Sequence, residues 1–511
     1  PICGSPQRHP VASTGHEVRA LMEDRQGSLW AGTDGAGLVQ LRGLSVQSVT
    51  PDDGLRNSVV LSVCQTVDDA VWVGLNCGGV DRVVDGTVTR SVRSPALGND
   101  CVWSLWPDPD GSLWVGTHGE GLYRVTKDDV TPILTDLRGR DLAVIALYRG
   151  RRGDLWLGTR VHGLVRVAED GVERITTADG LGDDEVRAIV EDPDGSLWVG
   201  TRHGLNRIES GQVVATWSRE HGLRDDAVRA IAFDGDGRLW IGTDGGGLAL
   251  RQNDRFVSLG PEEGLADETV SWIVDDGLGF LWLTGNRGIC RVGKPELLAV
   301  VAGDERRVYP ECFDRNDGLP STECNGGFQP AGWRARDGRL WFPTVGGLAS
   351  LHPEEVRRGG SRLPVHIEGV VADGRRIPVD GGVVLPAGTR RWHVRYTAPS
   401  FVAPRSIHFR TRLVGFDPSW VQGGAERVAR FTSIPAGEYL FEVVASGGGS
   451  RWPTSGATLP IFVTPRWYER QWVYPVGVLL FVALVVGTVG LRVRELRRRQ
   501  RELESLVEDR T

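Results

Sequence analysis

Seven polar residues recur at one spacing. Asp34, Asn76, His118, Arg160, Arg202, Asp244 and Asn286 each stand four residues after a tryptophan, in surroundings that are otherwise nearly constant. His162 and His203 lie close by in sequence. Residues that vary while their neighbours repeat are candidates for selectivity, because the constant neighbours serve the fold. Guanidinium, carboxylate, carboxamide and imidazole groups together suit hydrogen bonding to a small polar ligand, an oligosaccharide for instance. His118, Arg160, His162, Arg202, His203, Asp244 and Asn286 form the candidate ligand-binding set. Catalysis has weaker support. The chain has no Gly-x-Ser-x-Gly elbow, Walker loop, His-Glu-x-x-His or Cys-x-x-Cys. Asp108-Pro-Asp-Gly111, Asp192-Pro-Asp-Gly195 and Asp234-Gly-Asp-Gly237 have the opening of a calcium loop but not its later carboxylates, so they read as hairpin turns. No metal, cofactor or catalytic residue is expected. Cys3, Cys64, Cys77, Cys101, Cys290, Cys312 and Cys324 are odd in number, and an oxidising compartment would permit a Cys312–Cys324 bridge.

The elements that must position these residues are repeats. Trp30, Trp72, Trp114, Trp156, Trp198, Trp240 and Trp282 follow one another at intervals of 42 residues, and a Val precedes each by twelve. An eighth copy, Arg339-Leu-Trp-Phe-Pro-Thr344, comes 59 residues after the seventh. In the copy at 180–221, Val186–Glu191, Leu197–Thr201, Leu205–Ile208 and Gln212–Trp217 read as strands, separated by Pro, Gly and Asp turns. Four short strands in about 40 residues, repeated, are the blades of a β-propeller. Glycine inside Trp-x-Gly-Thr weakens a strand, so it is expected where neighbouring blades approach closely, with the tryptophan packed between them. The motif explains much of a composition with 69 Gly and 18 Trp in 511 residues. A net charge of −7 argues against a nucleic-acid-binding surface.

The Leu-Trp-x-Gly-Thr-x-x-Gly-Leu units, spread over residues 17–351, resemble the two-component regulator propeller repeat. The resemblance implies seven-bladed propellers, often two in tandem, in the extracytoplasmic part of membrane-bound sensors. Asp317-Gly-Leu-Pro-Ser-Thr-Glu-Cys-Asn-Gly-Gly-Phe-Gln-Pro-Ala-Gly-Trp333 resembles the longer final blade of that family. Eight copies then imply seven blades plus one left from an upstream propeller, or one eight-bladed ring, and in either case a start cut from a longer chain.

Residues 1–351 are thus assigned to the propeller and 352–363 to a linker. Residues 364–466 alternate apolar and polar side chains in short runs, as in Arg391-Trp-His-Val-Arg-Tyr396 and Ile407-His-Phe-Arg-Thr-Arg-Leu413, and predict an immunoglobulin-like sandwich. Leu413-Val-Gly-Phe-Asp-Pro-Ser-Trp420 and Pro435-Ala-Gly-Glu-Tyr-Leu-Phe-Glu-Val-Val444 resemble the Tyr-Tyr-Tyr domain, with Phe409 and Phe431 where that family often has tyrosine. Residues 473–491 are free of charge, near the ~20 residues a membrane span needs. Trp467, Tyr468, Trp472 and Tyr474 flank one end, while Arg492, Arg494, Arg497, Arg498, Arg499 and Arg501 flank the other and place it in the cytoplasm. In the tail, 492–511, Val493, Leu496, Gln500, Leu503 and Val507 follow a heptad stripe and predict a short coiled coil. The ending resembles the linker into a histidine kinase or GGDEF diguanylate cyclase.

The expected protein is all-β up to its single transmembrane helix. It is the periplasmic ligand-sensing region of a single-pass protein of the bacterial inner membrane, a homodimer through sandwich, span and heptad, whose output domain lies beyond this sequence. Two alternatives stand beside it: a propeller lyase resembling streptogramin lyase, and a membrane-anchored adhesion or scaffold module.

Overall fold

The computed structural model describes residues 17–508 apart from 25, 42, 93–96, 98–100, 136, 138–140, 357–362, 380, 402–406, 448–451, 454 and 470–471. Cys3, half of the expected linker (357–362) and the side chains of Leu503 and Val507 lie outside the described residues. The chain forms two compact units. One holds residues 1–361 with segments 401–406 and 447–452, and the other holds 362–400, 407–446 and 453–511.

In the first unit, six antiparallel four-stranded blades follow in chain order, I (60–92), II (102–134), III (142–175), IV (186–217), V (228–259) and VI (272–313), with II and III joined into one eight-stranded sheet through His118↔Ala143 and Gly119↔Leu142. Blade VII has three strands of its own, Trp333–Arg334, Leu340–Thr344 and Gly347–Leu351, and takes its fourth from far upstream, Gln47–Val49, through Leu348↔Val49. Trp341 and Leu348 of blade VII share a core with Val60 and Val63 of blade I, so the ring closes with seven blades. The first sequence copy remains outside as a three-stranded sheet (Val18–Glu23, Leu29–Thr33, Gly37–Leu41), and every residue of Val18–Glu23 is exposed. The arrangement is seven blades plus one extra repeat rather than an eight-bladed ring.

The repeat motif divides its work residue by residue. Gly158, Gly200 and Gly242 lie against Val186, Val228 and Val270, the first residues or approaches of the next blade's inner strand. The recurrent Val and the recurrent Gly are thus two halves of one inter-blade contact. Trp198 and Trp240 are almost fully buried and join cores that include Val228 and Val270 respectively. Thr159, Thr201 and Thr243 donate their hydroxyls to the carbonyls of Gly163, Gly204 and Gly247, closing the hairpin that follows. The Asp six residues before the tryptophan accepts its indole N–H, at 3.1 Å for Asp192–Trp198, 3.0 Å for Asp234–Trp240 and 2.9 Å for Asp276–Trp282. Its other oxygen accepts backbone N–H groups of the turn, those of Asp194 and Ser196 in blade IV. These carboxylates are occupied by the turn and the indole, which accounts for the calcium-loop look of the sequence.

Blade VII carries Ala335 at that position, and the buried Trp341 Nε1 has no hydrogen-bond partner. The turn is otherwise the same, with Ala335 N–H donating to Arg339 O at 2.8 Å as Asp234 N–H does to Arg238 O at 3.0 Å. Ala335→Asp should therefore raise stability by about 1 kcal/mol by supplying the missing acceptor. A lowered thermal midpoint would refute this account of the motif.

The disulfides depart from the sequence expectation. Cys312 pairs with Cys290, its cross-strand partner in blade VI, not with Cys324. Cys77 pairs with Cys101, joining the loop after the second strand of blade I to the start of blade II. Cys64 and Cys324 are free and buried; burial pushes the Cys324 thiol up to about 12 and the Cys64 thiol upward as well, leaving neither nucleophilic near neutral pH. A short helix, Lys294–Ala302, interrupts blade VI before its last strand and was not foreseen.

In the second unit two sheets face each other. One orders Arg375–Ile377, His366–Ala372, Arg391–Thr397 and Val428–Thr432; the other orders Val383–Leu385, Ala457–Val463, Gly437–Ser446, His408–Val414 and Val421–Gly424. The alternation seen in sequence becomes burial: Trp392, Val394 and Tyr396 from one sheet meet Phe409, Leu413, Phe441 and Val443 from the other. Phe409 lies 5.0 Å from the Tyr396 ring, and Phe431 stacks on Trp392 at 4.3 Å. Helix Val473–Glu508 follows. Among the described residues it is the one helix long and apolar enough to cross a membrane, and none of its apolar window is covered by protein.

Candidate functional site

The inner strand of each of blades I to V begins with a defect. In blade IV, Val186 pairs with Thr201 and Ala188 with Gly200, so Arg187 has no partner in the ladder. The same irregularity isolates Ile145 in blade III, Arg229 in blade V, Leu61 in blade I and Trp103 in blade II. A β-bulge re-aims the side chain of its extra residue. Here four of these residues, Trp103, Ile145, Arg187 and Arg229, line one cavity of about 380 Å³. Arg160 and Arg202, from the loops after the second strands, complete its wall with Glu185.

The floor is the long insertion before blade VII, which crosses the ring. Gln329 N–H donates to Ile145 O at 2.9 Å in blade III, while its carboxamide accepts from Ile189 N–H and donates to Ile189 O in blade IV, both at 2.7 Å. Pro330 O accepts from Val63 N–H of blade I at 3.1 Å, and Cys324 N–H donates to Gly285 O of blade VI at 3.0 Å. Gly326 is pressed so closely on Ser271 that a Cβ there would lie 2.2 Å from the serine Cβ. Gly326, Gly327 and Phe328 form the floor itself, with the Phe328 ring 5.1 Å from Trp103.

Charge in the cavity is ordered. Glu185 binds Arg187 at 2.7 Å and lies 3.7 Å from Arg202; just behind, Asp244 binds Arg229 at 2.8 Å and lies 3.8 Å from Arg187. Arg160 lies over the Trp103 ring at 5.9 Å, and His118 packs on the same ring at 4.2 Å. Two guanidinium nitrogens, Arg187 Nη1 and Arg229 Nε, are buried without a hydrogen-bond partner.

Of the candidate set, Arg160 and Arg202 line the cavity, and His118 and Asp244 contact its lining residues. The other three stand outside the lining. His162 is buried, with Nε2 at 3.1 Å from Asp141 O. His203 pairs through Nδ1 with Asp183, and Asn286 donates its backbone N–H to Asp267 at 2.6 Å. Trp103, Glu185, Arg187, Arg229 and Phe328 were missed. A signal existed for three of them: the residue after each recurrent Val also varies, through Leu61, Trp103, Ile145, Arg187, Arg229 and Ser271.

Comparison with known proteins agrees with the fold. Residues 13–35, 180–203 and 222–245 match the two component regulator propeller family, and residues 400–464 match the Y_Y_Y domain. The chain thus carries two component regulator propeller repeats followed by a Y_Y_Y domain. It is similar to the extracellular domain of the putative hybrid two component system BT3049 from B. thetaiotaomicron, at 21% identity and a TM-score of 0.67 over 88% of this chain and 62% of that one. The extracellular domain of the putative one component system BT4673 from the same organism aligns at 14% identity and a TM-score of 0.50, over the same shares. The chain therefore spans 62% of the length of these two structures. A virginiamycin B lyase from Staphylococcus aureus aligns at 16% identity and a TM-score of 0.46, over 60% of this chain and 97% of its own. No curated protein matches the chain.

Proposed function

We propose that this chain is the extracytoplasmic ligand-sensing region of a membrane-spanning signal-transduction protein, and that the cavity over the insertion is where a small polar ligand binds. The observation that carries this reading is the cavity itself. Side chains from four separate blades converge above a floor that belongs to none of their sheets. A ligand there touches rigid blades on its sides and a linking segment beneath, so binding can favour one position of that segment over another. That segment leads into blade VII and then towards the Y_Y_Y domain and the apolar helix, whose arginine-rich end would lie in the cytoplasm of an inner-membrane protein. The sandwich, the helix and the heptad stripe supply the surfaces of a homodimer, and a histidine kinase or diguanylate cyclase domain would give the output.

The test has two arms. A panel of oligosaccharides and other polar metabolites is screened by thermal shift on the detergent-solubilised chain, beside Arg160→Ala/Arg202→Ala. A ligand that stabilises the parent and not the double variant supports the site; equal stabilisation of both rejects it. The chain is then joined to the output domain of a characterised sensor. Reporter output that follows the same ligand supports signalling, and output indifferent to it rejects signalling.

A further inference from the structure

We infer that the ligand is an organic anion, held by Arg187 and Arg229 through a carboxylate or sulfate while its ring rests against Trp103 and Phe328. This deepens the sensing proposal and rests on it for the site's role, not for its chemistry. Four arginines face the cavity or its rim, and two carboxylates, Glu185 and Asp244, stand against them, an excess of two positive charges in a partly enclosed space. All but two of the chain's 59 basic residues are arginine, so arginine by itself is unremarkable here; its convergence is the informative feature. The two carboxylates leave the cluster unfinished. Glu185 engages the Nε and Nη2 atoms of Arg187, while Nη1 is 3.8 Å from Asp244, beyond hydrogen-bond reach. Asp244 engages Arg229 Nη2 and leaves its Nε without an acceptor. Arg187 and Arg229 keep 15% and 25% of their side chains exposed, and an anionic oxygen is a stronger acceptor for those exposed guanidinium edges than a neutral hydroxyl. Planar guanidinium groups also match the two oxygens of a carboxylate or sulfate. In the same cavity lining, Trp103 with Phe328 at 5.1 Å offers an apolar surface suited to a ring face. A cavity of about 380 Å³ admits one such small molecule.

The experiment is a calorimetric titration of the full chain in detergent with matched pairs: phthalate and phthalamide, benzoate and benzamide, 4-nitrophenyl sulfate and 4-nitrophenol, glucuronate and glucose. At least one anion should bind tenfold or more tightly than its neutral counterpart and weaken as salt is added. Arg187→Gln and Arg229→Gln should each lower its affinity about tenfold or more, while Asp244→Asn, which removes a competing carboxylate, should raise it several-fold. Circular dichroism and the unliganded melting temperature establish that each variant is folded. If no anion is preferred over its partner, or if both glutamine variants bind as the parent does, the inference is overturned. The two proposals fail separately. A neutral ligand that needs Arg160 and Arg202 overturns the anion inference and leaves the sensing site standing. An anion bound through Arg187 that never changes the output of the chimera overturns the sensing proposal and leaves this one standing.

Discussion

Gly242→Ala should destabilise the propeller by about 3 kcal/mol, the upper range for forcing a methyl group into a packed interior. A Cβ built on Gly242 lies 2.5 Å from the Val270 carbonyl oxygen and 2.8 Å from its Cγ1. The carbonyl belongs to the backbone entering the next inner strand, so it can withdraw only if blade VI shifts against blade V. Gly200→Ala makes the informative contrast. Its Cβ would meet the Val228 side chain, Cγ1 at 2.5 Å and Cβ at 3.1 Å, with no backbone atom among its nearest contacts. Val228→Ala removes the methyl groups in the way, so the double variant Gly200→Ala/Val228→Ala should be more stable than the sum of its single changes predicts. Val270→Ala should relieve Gly242→Ala much less, because it removes the Cγ1 contact at 2.8 Å but leaves the offending oxygen at 2.5 Å in place. Urea unfolding of the two single-variant pairs and their doubles measures both coupling energies. Equal coupling in both cycles would mean that the glycines are not held by the contacts described.

The same contact shows how far the sequence could be read. Tryptophan, glycine and valine recur because blades I to V each solve one packing problem against the next blade, from Gly74 against Val102 to Gly242 against Val270, and a problem solved five times leaves a period of 42 residues. Blade architecture, the sandwich and the apolar helix were legible for this reason: each is written in local pattern, in turn residues, alternation or a charge-free run. What was hidden depends on partners far apart in sequence. The closing strand Gln47–Val49 is three residues long and has no pattern until it meets Leu348 and Ser350. Cys290 and Cys312 face each other only because a helix and loop fold out between their two strands. The cavity was half visible. Arg160 and Arg202 sit in loops, where variation amid constancy is read readily. Arg187 and Arg229 sit inside strands, and strict alternation places them between buried Val and Ala; the bulge that turns them to the cavity marks the sequence only as variation in the residue after each recurrent Val.

Gln329→Ala should cost about 3 kcal/mol and should also abolish ligand-induced stabilisation with every cavity arginine still present. Both effects follow from the edge that the insertion covers. The innermost strand of blade IV, Val186–Glu191, has a ladder partner on one side only, and its other edge leaves N–H and C=O groups outside the sheet. At Ile189 both groups are bound by the Gln329 carboxamide at 2.7 Å, and Gln329 is only 5% exposed. Truncation leaves a buried donor and a buried acceptor unpaired, at about 1–3 kcal/mol each. It also frees the segment that carries Phe328, so the floor under Arg187 and Arg229 is no longer held in place. Gln329→Glu isolates the amide from its bulk. An ionised glutamate accepts from Ile189 N–H but cannot donate to Ile189 O, and burial raises its folded-state pKa above the unfolded value. The deficit relative to the parent is then full above the folded pKa and shrinks as pH falls through it, because the protonated acid donates where the amide did. Gln329→Ala has no such group, and its deficit should not follow pH in that way. Thermal midpoints of the three proteins between about pH 4 and pH 8 decide the matter: parallel curves for the Ala and Glu variants would show that the carboxamide does not tie the insertion to the ring, whereas convergence of the Glu variant on the parent at low pH is the result expected from the geometry.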